Sequence, residues 1–448
     1  MNSGNIILII SGLITLIACK EEIVPEAYKP TNKHKAYIFS LEELNLDKTA
    51  LGSEWIKSSE EALLSPVWIE TPFEEAFYLE PSQAEALSYR FSVKRGQKLM
   101  INVYSYGADS VILFMDLFRI VNDSLKQWNH VASSDDEDNK LAFEARENSD
   151  YIVRLQPELL RGGKYSITIR KVPTLIFPVT GKDSRAIGSF YGDPREGGKR
   201  NHHGVDIFAN RYTPIIAPTK GYIRFVGERN LGGNVIWLND VQRGQNLYFA
   251  HLQEQLVEEN TWVEAGDTIG TVGNTGNARS TPTHLHFGIY SRGPQDPLFF
   301  IKETNLEADS ISVNQELIGL FARSMNDQLF IPNISPAFKQ GSFPDTIKTH
   351  QVFKIIGGFR NYYKVQLPNQ QITYLLNRFV ESISSPIDEQ VIRNETASLL
   401  NEPSSSGVSK ETIREGEQIT VLGHFSDFWW VQTSNGSLGW LPKYRVTQ

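Results

Sequence analysis

The sequence predicts a mostly β protein made of an N-terminal β-sandwich, a central antiparallel-β domain and small C-terminal barrels. Three observations lead there. The chain has 448 residues, enough for about three domains at roughly 150 residues each. Aromatic residues make up 11% of it, alongside many Gly, Pro, Thr and Val, a mixture that suits pleated strands joined by tight turns. Short apolar–polar alternations bounded by turn residues recur along the chain, and in the central domain convincing helical periodicity is scarce. At 40% hydrophobic and 21% charged residues the composition is that of a folded protein. A net charge of −8 and a pI near 5.7 offer no basic surplus for phosphates, which argues against a nucleic-acid partner.

The chain opens with an apolar run, residues 6–18, too short to cross a ~30 Å hydrocarbon core comfortably and of the length of a signal-peptide apolar region. It ends Leu16-Ile17-Ala18-Cys19, which resembles a bacterial lipobox. The resemblance implies that residues 1–19 are a lipoprotein signal peptide and that Cys19 is the lipid attachment site. Two or three acyl chains, at about 0.8 kcal/mol per buried CH₂, make a stable membrane anchor where one is marginal. One departure is that Met1 to Asn5 contain no Lys or Arg. The alternative is a secretory signal whose cysteine is incidental. Lys20 stands where Asp marks inner-membrane retention in enteric lipoproteins, which leans towards the outer membrane and leaves its periplasmic or surface face open. Cys19 is the single cysteine, so internal disulfides are excluded and stability must come from packed cores.

Residues 20–64, polar at their start with Pro25 and Pro30, read as a tether. From 65 to 172 the alternating runs at 87–93, 99–103, 141–145, 151–155 and 165–169 predict an antiparallel sandwich. It resembles the jelly-roll accessory domains of secreted bacterial peptidases. The acidic stretch 134–138 reads as a solvated loop rather than a calcium site, and no chemistry is assigned to this domain.

The next domain, 173–303, carries the chemistry. It begins with a glycine-rich loop at 189–198 and continues through short strands and turns. Five of the nine histidines fall within residues 200–287, less than a fifth of the chain, and histidine is both a common zinc ligand and a common proton shuttle. His202 and Asp206 are four apart, His284 and His286 two apart. Even separations in a strand put side chains on one face, so each pair can converge on a point, with Leu285 turned into the core. Two imidazoles and one carboxylate suit Zn²⁺ and leave a fourth position open, whereas a calcium site would not use histidines. Histidines beyond the ligand set are the acid–base groups expected of a hydrolase.

Three motifs then occur in order: His202-x-x-x-Asp206, Ala250-His251-Leu252 and His284-x-His286. With Gly204-Val205-Asp206-Ile207, Thr213-Pro214 and Leu285-His286-Phe287 around them, residues 175–300 resemble the LytM/lysostaphin-type zinc endopeptidases, which cut peptides of bacterial cell wall. The resemblance implies one zinc ion on His202, Asp206 and His286, with His251 and His284 as the catalytic pair. His203, on the opposite face of an extended segment, is placed at the surface or behind the ligands. Three departures stand out: Phe249 where the family often has Tyr, Gly288 where an acidic residue commonly follows, and a longer, glycine-poor approach at 277–283.

Residues 315–382 and 390–448 read as two divergent copies of one module. Each has an aromatic strand, at 358–367 and 424–432, followed by a polar turn and a further strand. The second resembles the bacterial SH3-like domain, opening at 397–403 and closing on Gly439-Trp440; the first has Thr373-Tyr374 there. Together these readings imply a lipid-anchored zinc metalloendopeptidase of the cell envelope, acting on peptidoglycan stem peptides or cross-links, with the membrane reached through its lipid. The alternative is a non-catalytic wall-binding or amidase-activating lipoprotein on the same fold.

Overall fold

The computed structural model describes residues 32–107, 112–134, 139–303, 307–329, 346–393 and 395–446. The signal peptide with Cys19, the first part of the expected tether and acidic positions 135–138 lie outside the described residues. The chain is mostly β, as its alternations predict. Among the described residues no helix is long and apolar enough to cross a membrane.

The expected tether needs correcting. Residues 33–64 form two helices, α1 (Lys33–Glu43) and α2 (Ala50–Leu64). Asn32 caps the first by accepting from Lys35 N, and Thr49 caps the second by accepting from Gly52 N. Trp55, Ser59 and Leu63, spaced by four, make one buried face of α2. Trp55 is 1% exposed; its ring stacks on His34 at 4.8 Å, and its Nε1 donates to Pro157 O at 2.8 Å. Burying such a face outweighs the polar composition around it, so the segment is part of the folded body.

The sandwich has one sheet in the order Val67–Trp68, Leu87–Val93, Ser149–Pro157, Leu113–Asn122, Gln127–Ser133. The other runs Phe73–Leu79, Gly163–Pro173, Gln97–Tyr106, Lys140–Glu144. Inward positions such as Phe77, Phe91, Leu99, Ile101, Val153 and Ile167 interdigitate between them. The second sheet does not stop at the sandwich. Val352–Phe359 pairs antiparallel with Phe73–Leu79, aligning Ala76 with Gly358, and Tyr362–Gln366 and Ile372–Leu376 extend the same sheet. Phe359 stacks on Phe73 at 5.3 Å. The segment expected as a separate module at 315–382 is thus hydrogen-bonded into the sandwich, while residues 388–442 form a six-stranded sheet of their own.

The central domain is a sheet with strands β1 (Ile187–Ser189), β2 (Val205–Phe208), β3 (Gly221–Arg229), β4 (Gly233–Asp240), β5 (Gln245–Gln255), β6 (Trp262–Val263), β7 (Thr268–Val272) and β8 (His284–Tyr290). Their order is β1-β2-β8-β5-β4-β3-β6, with β7 against the end of β5. One face is apolar: Val205, Ile207, Leu247, Phe249, Leu285 and Phe287 are fully buried. Each fully buried apolar side chain of this size is worth about 1.5–3 kcal/mol. The alternate residues of the same strands face a cleft. The domain is fixed to the sandwich by Arg243, which grips both carboxylate oxygens of Glu144 at 2.6 and 3.1 Å, and by Arg95, which donates to Gln295 and Ser291.

Candidate metal centre and active-site cleft

The site begins with the register of two adjacent strands. Asp206 on β2 lies directly across from His286 on β8, so their side chains emerge side by side from the open face. Asp206 Oδ1 is 3.0 Å from His286 Nδ1 and 3.0 Å from His202 Nε2, and the two ring nitrogens are 2.9 Å apart. His202 does not get there by strand alternation, because β2 starts only at Val205. It is held by backbone bonds, His202 N to Asp193 O and Gly192 N to His202 O. The chain then passes through Gly204, where a Cβ would lie 2.5 Å from Phe287 O and 2.8 Å from His286 Cε1. Only glycine lets His202 and Asp206 approach the same imidazole.

The donor set fits a metal ion. His202 Nδ1 lies 2.8 Å from Phe190 O; a carbonyl only accepts, so Nδ1 carries the hydrogen and Nε2 turns a lone pair inward. That lone pair meets His286 Nδ1 and a carboxylate oxygen within one cluster, an arrangement a divalent cation satisfies better than any sharing of protons. Burial alone would raise the Asp206 carboxyl, but the His202 and His286 imidazoles against it outweigh that and hold the group well below the usual carboxylate range. Burial lowers the His286 imidazole despite Asp206 beside it. Both therefore keep lone pairs free at neutral pH, as ligands must.

His251 and His284 stand beside this cluster, their rings 5.0 Å apart and that of His251 6.0 Å from His286. His251 Nδ1 is 2.9 Å from Thr275 O and His284 Nδ1 2.8 Å from Pro282 O, so each presents Nε2 to the cleft. Burial, with His284 and His286 nearby, pushes His251 down to about 4, leaving it neutral at pH 7. Simple alternation does not account for His251. Its φ is +64°, and the β4–β5 register shifts here, so that Ala250 and His251 both face the cleft before Leu252 returns to the core. This is a β-bulge re-aiming a side chain, at a backbone cost of about 1–3 kcal/mol. The 277–283 segment, singled out in the sequence for its length, belongs to the loop whose carbonyls orient both imidazoles.

The cleft has a volume of about 810 Å³. Its floor beyond the cluster is aromatic: Trp237 lies 4.5 Å from Tyr248 and 5.2 Å from Tyr290. Phe249, the sequence's departure towards Phe, is fully buried against Phe287, so that change falls in the core and Tyr248 faces the cleft instead. His203 is exposed, 6.4 Å from the ring of Tyr191 at the cleft margin. Sequence reasoning missed Arg195, whose guanidinium meets Asp206 Oδ2 at 2.8 Å. The aromatic floor was missed as well. The signal for Arg195 was its place in the glycine-rich loop; nothing in spacing marked the floor.

Residues 200–297 match peptidase family M23. The M23 segment contains all five clustered residues. Among curated relatives, an L-Ala–D-Glu endopeptidase of Bacillus subtilis is 34% identical over 122 residues, covering 25% of this chain and 37% of that protein. The glycyl-glycine endopeptidase ALE-1 of Staphylococcus capitis is 31% identical over 167 residues, 36% of this chain and 43% of its own length. The murein hydrolase activator NlpD of Escherichia coli is 31% identical over 138 residues, 30% of this chain and 33% of its own length. The chain thus spans less than half the length of these relatives.

Proposed function

We propose that this chain is a lipid-anchored zinc metalloendopeptidase of the bacterial envelope that hydrolyses peptide bonds of peptidoglycan stem peptides or cross-links. The observation that carries the reading is the convergence of His202, Asp206, His286, His251 and His284 at one cleft inside the M23 segment. His202, Asp206 and His286 would hold one zinc ion, which when bound would polarise the scissile carbonyl and acidify a water. His251 and His284 offer unencumbered Nε2 atoms: one takes a proton from the attacking water, and the pair supports the charge that develops on the carbonyl oxygen. Trp237, Tyr248 and Tyr290 form the surface on which the peptide lies. The lipobox ending in Cys19 supports the anchor, Lys20 after it supports an outer-membrane destination, and the 390–448 segment is read as an SH3-like domain that helps to engage the wall.

The test is digestion of purified sacculi, with products identified by mass spectrometry on defined muropeptides and on glycine-rich peptides. Chelation should abolish cleavage and zinc should restore it, and His286→Ala should be inactive. A His286→Ala variant cleaving as fast as wild type would sink the mechanism. The likeness to a murein hydrolase activator favours a second reading, wall binding and amidase activation without catalysis. Purified protein that binds sacculi but neither retains zinc nor releases peptides would establish that reading instead.

A further inference from the structure

The glycine-rich loop at 189–198, whose backbone holds His202, also sets a charged side chain against the metal cluster. Pro194–Arg195 pairs with Arg200–Asn201 as a two-stranded ribbon that leads directly into His202. Gly197 and Gly198, both at positive φ, close its turn. From this ribbon one Arg195 nitrogen, Nη2, donates to Asp206 Oδ2 at 2.8 Å and to Ser189 Oγ at 2.5 Å. Ser189 Oγ donates in turn to Asp193 Oδ2 at 2.9 Å, and Phe190 N donates to the same oxygen at 2.7 Å. Every donor and acceptor in this chain points one way, from Arg195 through Ser189 to Asp193, so the guanidinium has a fixed position rather than a surface one. The two oxygens of Asp206 are thereby divided: Oδ1 faces His202 and His286, and Oδ2 faces Arg195.

We propose that Arg195 is a positioning residue of the metal centre, tying down the outer oxygen of Asp206 so that the carboxylate offers Oδ1 alone to the ion. The inference rests on the zinc reading above. Two effects of a guanidinium at this place oppose each other. Its charge repels a cation, while its hydrogen bond orients the ligand. The Asp206 side chain is only 12% exposed, so without this bond its outer oxygen would have little water to fix it, whereas Arg195, 28% exposed, still shares part of its charge with solvent. Orientation wins. Arg200, directly across the ribbon, carries the same charge but pairs with Glu196 at 2.7 Å and does not touch Asp206, which makes it the natural control.

The experiment measures zinc affinity of the full chain by competition with a chromophoric chelator, with melting of the metal-free proteins recorded alongside. Arg195→Ala should bind zinc about 10- to 100-fold more weakly than wild type, the usual loss when the partner of a ligand is removed. Arg195→Lys should fall between, since an ammonium keeps the charge and a donor but not the fixed planar direction by which Nη2 meets both Asp206 Oδ2 and Ser189 Oγ. Arg200→Ala should leave the affinity unchanged. If Arg195→Ala melts too low to assay, Arg195→Lys and Ser189→Ala carry the test, both weakening zinc in the same direction. Unchanged or tighter zinc binding in Arg195→Ala overturns the proposal, as does an equal loss in Arg200→Ala. Wild-type protein that binds no zinc overturns the zinc reading first and this inference with it.

Discussion

Gly276 is where the orientation of His251 can be tested without touching a histidine. It sits at φ +69°, and a Cβ placed there would lie 2.3 Å from Gly233 N and 2.5 Å from Leu231 O. Ordinary contact begins at 3.4 Å, so Gly276→Ala must push two backbone segments apart by about an ångström. The left-handed conformation adds a cost of about 1–3 kcal/mol. The residue before it, Thr275, supplies the carbonyl that holds His251 Nδ1, and its hydroxyl bridges Asn234 N and Leu252 O. The displacement therefore falls on the imidazole and not on His202, Asp206 or His286. A shift of this size at a reacting group lowers turnover about a hundredfold. The expected signature is kcat on solubilised sacculi down by about that factor, with zinc affinity unchanged and melting lowered modestly. Wild-type turnover in a folded, zinc-loaded Gly276→Ala protein would refute the idea that the Thr275 carbonyl sets the position of His251.

Other predictions follow from the same contacts. His34 is buried against Trp55 and Phe114, and burial, with Arg154 nearby, lowers it to about 4. The unfolded chain therefore takes up this proton first, and stability is full above about pH 6.5 and falls towards pH 4 by about 3 kcal/mol; urea midpoints across that range should show a slope that His34→Phe removes. Trp55→Ala should destabilise the protein by about 3–5 kcal/mol in equilibrium unfolding, and a loss near zero would mean that the two helices do not pack on the sandwich. Trp237→Ala, which strips the cleft floor, should raise KM for wall peptides up to about tenfold while zinc affinity stays constant, as expected for lost aromatic contact. An unchanged KM would take the floor out of the binding surface.

Much of the site was readable because metal ligation and strand geometry impose rigid spacing. His284, Leu285 and His286 alternate as a strand must, and the structure places Leu285 in the core with both imidazoles outside. His251 was readable only as a motif. Its bulge depends on the backbone of Gly232, which accepts from His251 N, and no local pattern announces that. The helices at 33–64 were legible in principle from the four-residue spacing of Trp55, Ser59 and Leu63, but the polar composition before them masked that signal. The pairing of Phe73–Leu79 with Val352–Phe359 was not legible, because it joins edges nearly three hundred residues apart whose alternation suits any sheet. Arg195 shows the same limit: its role is defined by an oxygen eleven residues away, across a ribbon.

The corrected N-terminus changes what an anchor at Cys19 would do. A tether running from 20 to 64 could carry the cleft far from a membrane, since about 45 residues span up to roughly 150 Å. With 33–64 packed on the sandwich through Trp55 and Pro157, about a dozen residues lie between Cys19 and the first described residue, Asn32, and at full extension that length spans at most about 40 Å. Beyond that point the distance is set by rigid structure: the sandwich, then Arg243 on Glu144 and Arg95 on Gln295 and Ser291, then the cleft. The strand at Val352–Phe359 leads the later part of the chain back to the sandwich, and Arg323 ties it onward to Leu422 O in the last sheet. A lipid on Cys19 would therefore hold the cleft at a height governed by packed domains and not by a loose leash. Wall peptides would be cut only where they pass within that height.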